Sequence, residues 1–249
     1  MKHFAFLAAA AVLPACTTAH YLFPHLILNG QVTQPFEYVR EHDNGFQPSW
    51  DDGRFLQSKD IRCNKGSENH MTAPKTAKVV AGKDTIGFAS NVGTHLQHPG
   101  PLTVYLSKAP GDVKQYDGSG DWFKVFQLGT KSPWDGNDKG WLTWDKQHFT
   151  FKLPAEIPAG QYLMRVEHIA THPPYSAKQF FLQCAHLDIQ SSYVGAAPSP
   201  TIKFPGGYSM QDPAIKFDSW AKPIPTLYSL PGPKMWPNNN MLNYVGGTS

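Results

Sequence analysis

The chain of 249 residues holds only three cysteines, and charged side chains make up just 16% of it. A formal net charge of +3 with no basic stripe argues against nucleic acid as a partner. No run of 18 or more apolar residues occurs, so no membrane-spanning helix and no membrane partner are expected. Also missing is a 3.6-residue apolar repeat of helical length, which excludes a helical bundle. The G-x-S-x-G nucleophile elbow of serine hydrolases is absent. So is the helical zinc-protease motif, because Glu167 precedes His168 instead of following it. His168 and His172 lie on an alternating stretch, where residues four apart are about 13 Å apart and cannot grip one ion. Acidic residues are scattered, and no pair of carboxylates stands out for glycoside hydrolysis, although such a pair need only meet in space.

What the chain has in quantity is punctuation: 21 glycines and 22 prolines. Between them lie short alternating stretches at 21–28, 85–89, 102–106, 148–153, 161–169 and 179–189. Strands of this length bounded by turn residues predict an all-β, antiparallel, immunoglobulin-like or fibronectin-like β-sandwich with long loops. Connections at 30–60 and 107–147 are the expected carriers of function. From Pro198 the chain is rich in proline, glycine, asparagine and aromatic residues, and reads as a coil packed across the sandwich. Disorder is expected over 237–249. Arg165 and Glu167 share one face of a strand, the usual sign of a structural pair.

The first residues have a different character. Lys2 and His3 precede an apolar run at 4–13, and Thr17 and Ala19 sit where a signal peptidase reads small residues. Residues 1–19 are thus read as a secretion signal, leaving one domain over 20–236 that begins with His20. A rival reading takes Leu13-Pro14-Ala15-Cys16 as a lipoprotein box, which would leave His20 internal; Pro14 fits that box poorly. Beyond residue 19 only Cys63 and Cys184 remain. In a secreted protein two cysteines are most simply one disulfide.

Three histidines far apart in the chain, His20, His98 and His172, are candidate ligands. A free N-terminal histidine offers its α-amino group and its ring to the same ion. A second imidazole completes a three-nitrogen set, and tetragonal nitrogen ligation suits Cu(II). His98 opens His98-Pro99-Gly100-Pro101, a tight turn before a strand, which would hold an imidazole at a strand edge. Taken singly, each of these histidines also reads as an ordinary terminal or turn residue.

The order of the motifs carries a resemblance. A terminal histidine, a strand and Asn29-Gly30 are followed by Asp60-Ile61-Arg62-Cys63-Asn64, Thr72-Ala73-Pro74 and Ala81-Gly82-Lys83-Asp84-Thr85. His98-Pro99-Gly100-Pro101, Trp122-Phe123-Lys124-Val125 and Pro158-Ala159-Gly160-Gln161-Tyr162 come next, then Ala170-Thr171-His172 and Gln179-Phe180-Phe181 with Cys184-Ala185. The series resembles fungal lytic polysaccharide monooxygenases of auxiliary activity family 9. That resemblance implies one copper ion per chain, held by His20 and His98. It implies a second-sphere pair, His172 and Gln179, that hydrogen-bonds the oxidant, and a disulfide between Cys63 and Cys184. The implied reaction is oxidative cleavage of cellulose or a related β-glucan at C1 or C4. It needs dioxygen or hydrogen peroxide and an external electron donor, and the enzyme is expected to be a secreted monomer. One position departs: the family's axial tyrosine is Phe181 here, which removes a weak axial oxygen and leaves three nitrogens for the metal. A non-catalytic copper- or carbohydrate-binding protein on the same scaffold is the alternative that Phe181 motivates.

Flat sugar faces stack on exposed aromatic rings. Trp220 falls where the family often has an exposed tyrosine and is the candidate stacking residue. Tyr208, Tyr228 and Trp236 are weaker candidates that could instead pin the tail to the sheet. Tyr38, Phe46 and Trp50 lie in the first long connection and match the family's binding face by region only.

Overall fold

The computed structural model describes residues 20–50, 54–131, 134–172, 178–223, 225–237 and 244–246. The secretion signal expected over residues 1–19 lies outside the described residues. Two sheets carry the fold. One is ordered β11-β8-β5-β1-β2, from β1 (His25–Leu28), β2 (Gln31–Val32), β5 (Thr85–Ala89), β8 (His148–Lys152) and β11 (Tyr244–Gly246). The other is ordered β3-β10-β9-β6-β7, from β3 (Ser49–Trp50), β6 (Leu102–Lys108), β7 (Phe123–Leu128), β9 (Gly160–Ala170) and β10 (Gln179–Gln190). All pairings along both paths are antiparallel, and β4 (Ala77–Val80) adds to β10 in parallel. The predicted sandwich is therefore the observed one. The only described α-helix is one turn, α1 (Pro213–Lys216).

Period-two alternation decides which side chains meet. On β10, Phe181, Ala185, Leu187 and Ile189 join the core between the sheets, while Phe180, Leu182 and Cys184 join a second cluster on the outer face. On β9, Met164 and Val166 point inward, and Leu163 and Ile169 point outward. Across the sandwich, Phe126 of β7 stacks on Phe149 and Phe151 of β8 at 5.7 and 4.7 Å between ring centroids. Such interdigitation is what holds two sheets face to face.

The tail covers the outer face of the second sheet, as its aromatic content suggested. The Phe204 ring lies 4.4 Å under the Arg165 guanidinium, and the Trp236 indole donates to Glu156 O at 2.9 Å. Tyr208 is buried, and its hydroxyl donates to Glu167 Oε1 at 2.8 Å. Tyr228 packs edge-on against Trp141 at 4.8 Å. These three aromatic residues thus pin the tail. Tyr244–Gly246 pairs with β8 inside the stretch where disorder is expected. Residues 238–243 and 247–249 lie outside the described residues.

Two departures from the predicted strands have physical causes. The first strand begins at His25, not Tyr21, because side-chain amides replace the ladder before it. Leu22 N donates to Asn91 Oδ1 at 2.9 Å, and Phe23 N donates to Gln183 Oε1. The connection at 107–147 contains β7, whose buried Lys124 and whose register shift against Val104/Tyr105 hide its alternation.

Cys63 and Cys184 form the expected disulfide, with a sequence separation of 121. It ties the loop at 55–70 to the outer face of β10. Closing a loop of that length stabilises by roughly 4–5 kcal/mol on a chain-entropy model. Replacing both cysteines with alanine is expected to lower unfolding stability by up to that amount, read from the denaturant midpoint.

Candidate metal centre

Three segments converge at one end of the sandwich: the chain entering β1, the turn before β6, and the β9–β10 connection. The His98-Pro99-Gly100-Pro101 turn is clamped to the end of β9. Thr171 donates to Pro99 O through both its backbone N and its Oγ1, each at 2.8 Å. Thr143 Oγ1 donates to Gly100 O at 2.7 Å. A Cβ on Gly100 would lie 1.8 Å from Ile169 O, so only glycine allows the turn to sit this close. This clamp fixes His98, whose ring is buried.

The His20 ring stands 6.1 Å from the His98 ring, centroid to centroid, with a 32° tilt. Imidazole-to-metal bonds of about 2.0–2.1 Å, plus ~1 Å from nitrogen to ring centre, place two rings facing each other across one ion at ~6 Å. The observed separation fits one shared ion. Among the described residues no three His, Cys, Asp or Glu side chains form a metal-binding group. A chain beginning at His20 would offer its α-amino group as a further nitrogen donor. In the uncleaved chain that nitrogen is an amide.

Phe181 forms the wall beneath both rings. It is buried, stacks on His98 at 5.4 Å and 23°, and lies 6.1 Å from His20. Tyr21 also stacks on Phe181, at 4.1 Å, lies 6.2 Å from the His98 ring, and donates its hydroxyl to His168 Nδ1. Register sets this layer, since β10 places Phe181 opposite His168 of β9. Burial, and then the neighbouring His98, pulls the His168 pKa down to about 3. The ring is thus neutral at ordinary pH, its Nδ1 accepts from Tyr21, and its Nε2–H donates to Gly100 O at 3.2 Å. Burial pushes the Tyr21 phenol well above its ordinary range. His168 is structural, as the alternation argued.

His172 Nε2 lies 3.0 Å from His98 Nδ1. Lys178 Nζ holds the backbone before and at His172, donating to Thr171 O at 2.8 Å and His172 O at 3.1 Å. Gln179 is buried on the Phe181 side of β10, and its Oε1 has no hydrogen-bond partner among the described residues. An orphaned buried acceptor on the strand face of Phe181, paired opposite Trp50, fits a site that receives a polar ligand. Two exposed tryptophans flank the histidines. Trp50 meets His20 edge-on at 6.1 Å, and Trp220 stacks on His172 at 5.2 Å and 23°. Their exposures are 44% and 52%. The rings thus form one row: Trp50, His20, His98, His172, Trp220.

Comparison with known proteins agrees with this geometry. The model of auxiliary activity family 9, formerly glycoside hydrolase family 61, matches residues 20–228. The chain belongs to that family. It is 45% identical over 234 residues to AA9 family lytic polysaccharide monooxygenase G of Aspergillus tamarii, covering 93% of this chain and 69% of that one. It is 40% identical to AA9 family lytic polysaccharide monooxygenase D of Emericella nidulans, covering 92% and 81%. Among solved structures, a cellulose-active polysaccharide monooxygenase from M. thermophila superposes with a TM-score of 0.71 at 26% identity, covering 87% of this chain and 98% of that one. The extended catalytic domain of H. jecorina LPMO9A has the same fold, with a TM-score of 0.76 at 24% identity over 92% and 96%. The chain is accordingly a lytic polysaccharide monooxygenase of a copper-dependent family, acting on polysaccharide with an oxidant and an electron donor.

Within this family member the candidate residues divide clearly. His20, His98, His172, Phe181 and Trp220 are joined by ring contacts, and Gln179 shares the face of Phe181. Cys63 and Cys184 lie on the opposite side of β10. Tyr38 packs partly buried against the inner core, while Phe46 is exposed on the first connection. Three contributions had no local sequence signal: the approach of Trp50 to His20, the Tyr21–His168 bond, and the Lys178 clamp.

Proposed function

We propose that the chain acts as a secreted, monomeric enzyme beginning at His20, holding one copper ion between the His20 and His98 side chains and the His20 α-amino group. The substrate is cellulose or a related β-glucan, cleaved at C1, C4 or both. The observation that carries this reading is the facing His20–His98 pair at 6.1 Å, flanked by two exposed tryptophans. The family match beginning at residue 20 supports the same starting point.

When bound, copper supplies the one-electron chemistry that activates dioxygen or hydrogen peroxide. The residues of the chain do the rest. His172 orients the His98 ring through their 3.0 Å contact. The unsatisfied Gln179 Oε1 accepts a hydrogen bond from a protonated oxidant. Phe181 sets a buried apolar ring against both histidine rings. It offers no phenol oxygen, so all protein donors to the metal are nitrogens. No helix among the described residues is long and apolar enough to cross a membrane.

Copper-loaded protein beginning at His20, supplied with a reductant and phosphoric-acid-swollen cellulose, is expected to release oxidised oligosaccharides. Tight copper binding with no oxidised product would support instead a non-catalytic role. Trp220→Ala is expected to weaken binding to the same cellulose by roughly threefold to tenfold, the worth of one aromatic stack at about 0.5–1.5 kcal/mol. Unchanged binding isotherms would remove Trp220 from the substrate face.

A further inference from the structure

The Trp220 indole is held on two sides. Its face lies on His172, and its Nε1–H donates to both carboxylate oxygens of Asp138, at 3.2 and 3.3 Å. Asp138 opens a short 3-10 turn whose preceding residue, Asn137, caps it by accepting Lys139 N at 2.9 Å. Trp134 Nε1 donates to Asn137 O at 3.0 Å, and a Cβ on Gly140 would lie 2.4 Å from the Trp134 ring. The turn is therefore built tightly around Trp134.

Below it, four rings join this turn to the tail segment that carries Trp220. Trp134 meets Phe217 at 5.8 Å, Trp141 meets Tyr228 at 4.8 Å, and Phe217 meets Tyr228 at 4.8 Å. On the other flank, Ser219 N donates to Thr171 O at 3.1 Å, next to His172. A side chain 52% exposed would ordinarily sample several rotamers. Here its edge and one face are both fixed, and the other face is left to solvent.

We propose that Asp138 is a positioning residue: by locking Trp220 onto His172, it makes a sugar stacked on the outer face of Trp220 register at His172 and, through the 3.0 Å contact, at His98. The path is short and contiguous, from Asp138 through Trp220 and His172 to His98. It couples occupancy of the glucan surface to the histidine pair, so that the site changes when polysaccharide arrives. This rests on the reading of Trp220 as a glucan contact.

The test uses copper-loaded, ascorbate-reduced protein kept free of oxygen, titrated with cellohexaose. Imidazole and indole resonances are followed by NMR, with the dissociation constant taken from calorimetry. In the unaltered protein, the His172 ring resonances should move as the ligand saturates. Asp138→Ala should weaken cellohexaose about fivefold, shift the Trp220 indole N–H upfield, and abolish the His172 response at saturation. Asp138→Asn keeps a carbonyl acceptor for the indole and should stay within about twofold of the unaltered protein. Should Asp138→Ala bind equally well, or show the full His172 response when saturated, the coupling is wrong. Trp220→Ala separates the two readings. If it weakens binding while Asp138→Ala does not, only the coupling fails; if it binds unchanged, the substrate assignment of Trp220 fails as well.

Discussion

Replacing His98 with alanine is expected to weaken Cu(II) binding by more than about 100-fold, whereas removing His172 should cost about 10–100-fold. The contrast follows from position. His98 provides one of two ring donors, and the separation of its ring from His20 matches a single shared ion. His172 reaches the ion only by orienting His98, and outer partners of that kind are typically worth 10–100-fold in affinity. Acetylating the α-amino group of a chain that starts at His20 should be as damaging as losing His98, though no side chain is touched. The proton on that amine has a reference pKa of about 7.7–8.0, so affinity should also rise as pH climbs toward ~8. Chelator competition gives the affinities, and nitrogen hyperfine splitting in the electron paramagnetic resonance spectrum counts the donors. Full affinity in either altered protein would dismantle the proposed centre.

How far the sequence exposed this centre depends on the range of the interaction. Alternation over single strands is a local signal, and it places Phe181 with Gln179 and away from Cys184. The His98 turn was legible for the same reason, because proline and glycine constrain the backbone where they stand. Trp50 was placed only by region. Its approach to His20 depends on β3 pairing with the start of β10, and that pairing joins Trp50 to Gln179 from more than a hundred residues away. Asp138 carried no signal at all, since an aspartate at the head of a loop turn is ordinary. Only the aromatic cluster under it brings that turn to Trp220. The β4 strand was missed because its partner is parallel to it and distant in the chain. The Tyr21–His168 bond was missed because 147 residues separate its ends.

The same long-range logic governs stability on the far side of the second sheet. Arg165 and Glu167 are both fully buried there, 2.5 Å apart between Nη2 and Oε2. Burial by itself would lower the Arg165 pKa, but the Glu167 carboxylate together with Tyr208 and Tyr105 outweighs it and the net shift is upward. Around the pair, Tyr208 and Thr103 donate to Glu167 Oε1, and Arg165 Nε donates to Ile61 O and Arg62 O. Such a pair gains little over a well-packed apolar replacement, yet breaking it strands a charge without solvent. Glu167→Ala is therefore expected to destabilise the fold by about 3–5 kcal/mol, seen as a large fall in the denaturant midpoint at neutral pH. The damage should spread to the tail, because Tyr208 loses its acceptor and Phe204 packs on the guanidinium that has lost its partner. Earlier proteolytic cleavage after Pro198 would report that loosening. Replacing Arg165 with methionine together with Glu167→Ala removes both charges and should recover much of the loss. If the double variant were no more stable than Glu167→Ala alone, the cost would lie in the lost hydrogen bonds and packing, not in the stranded charge.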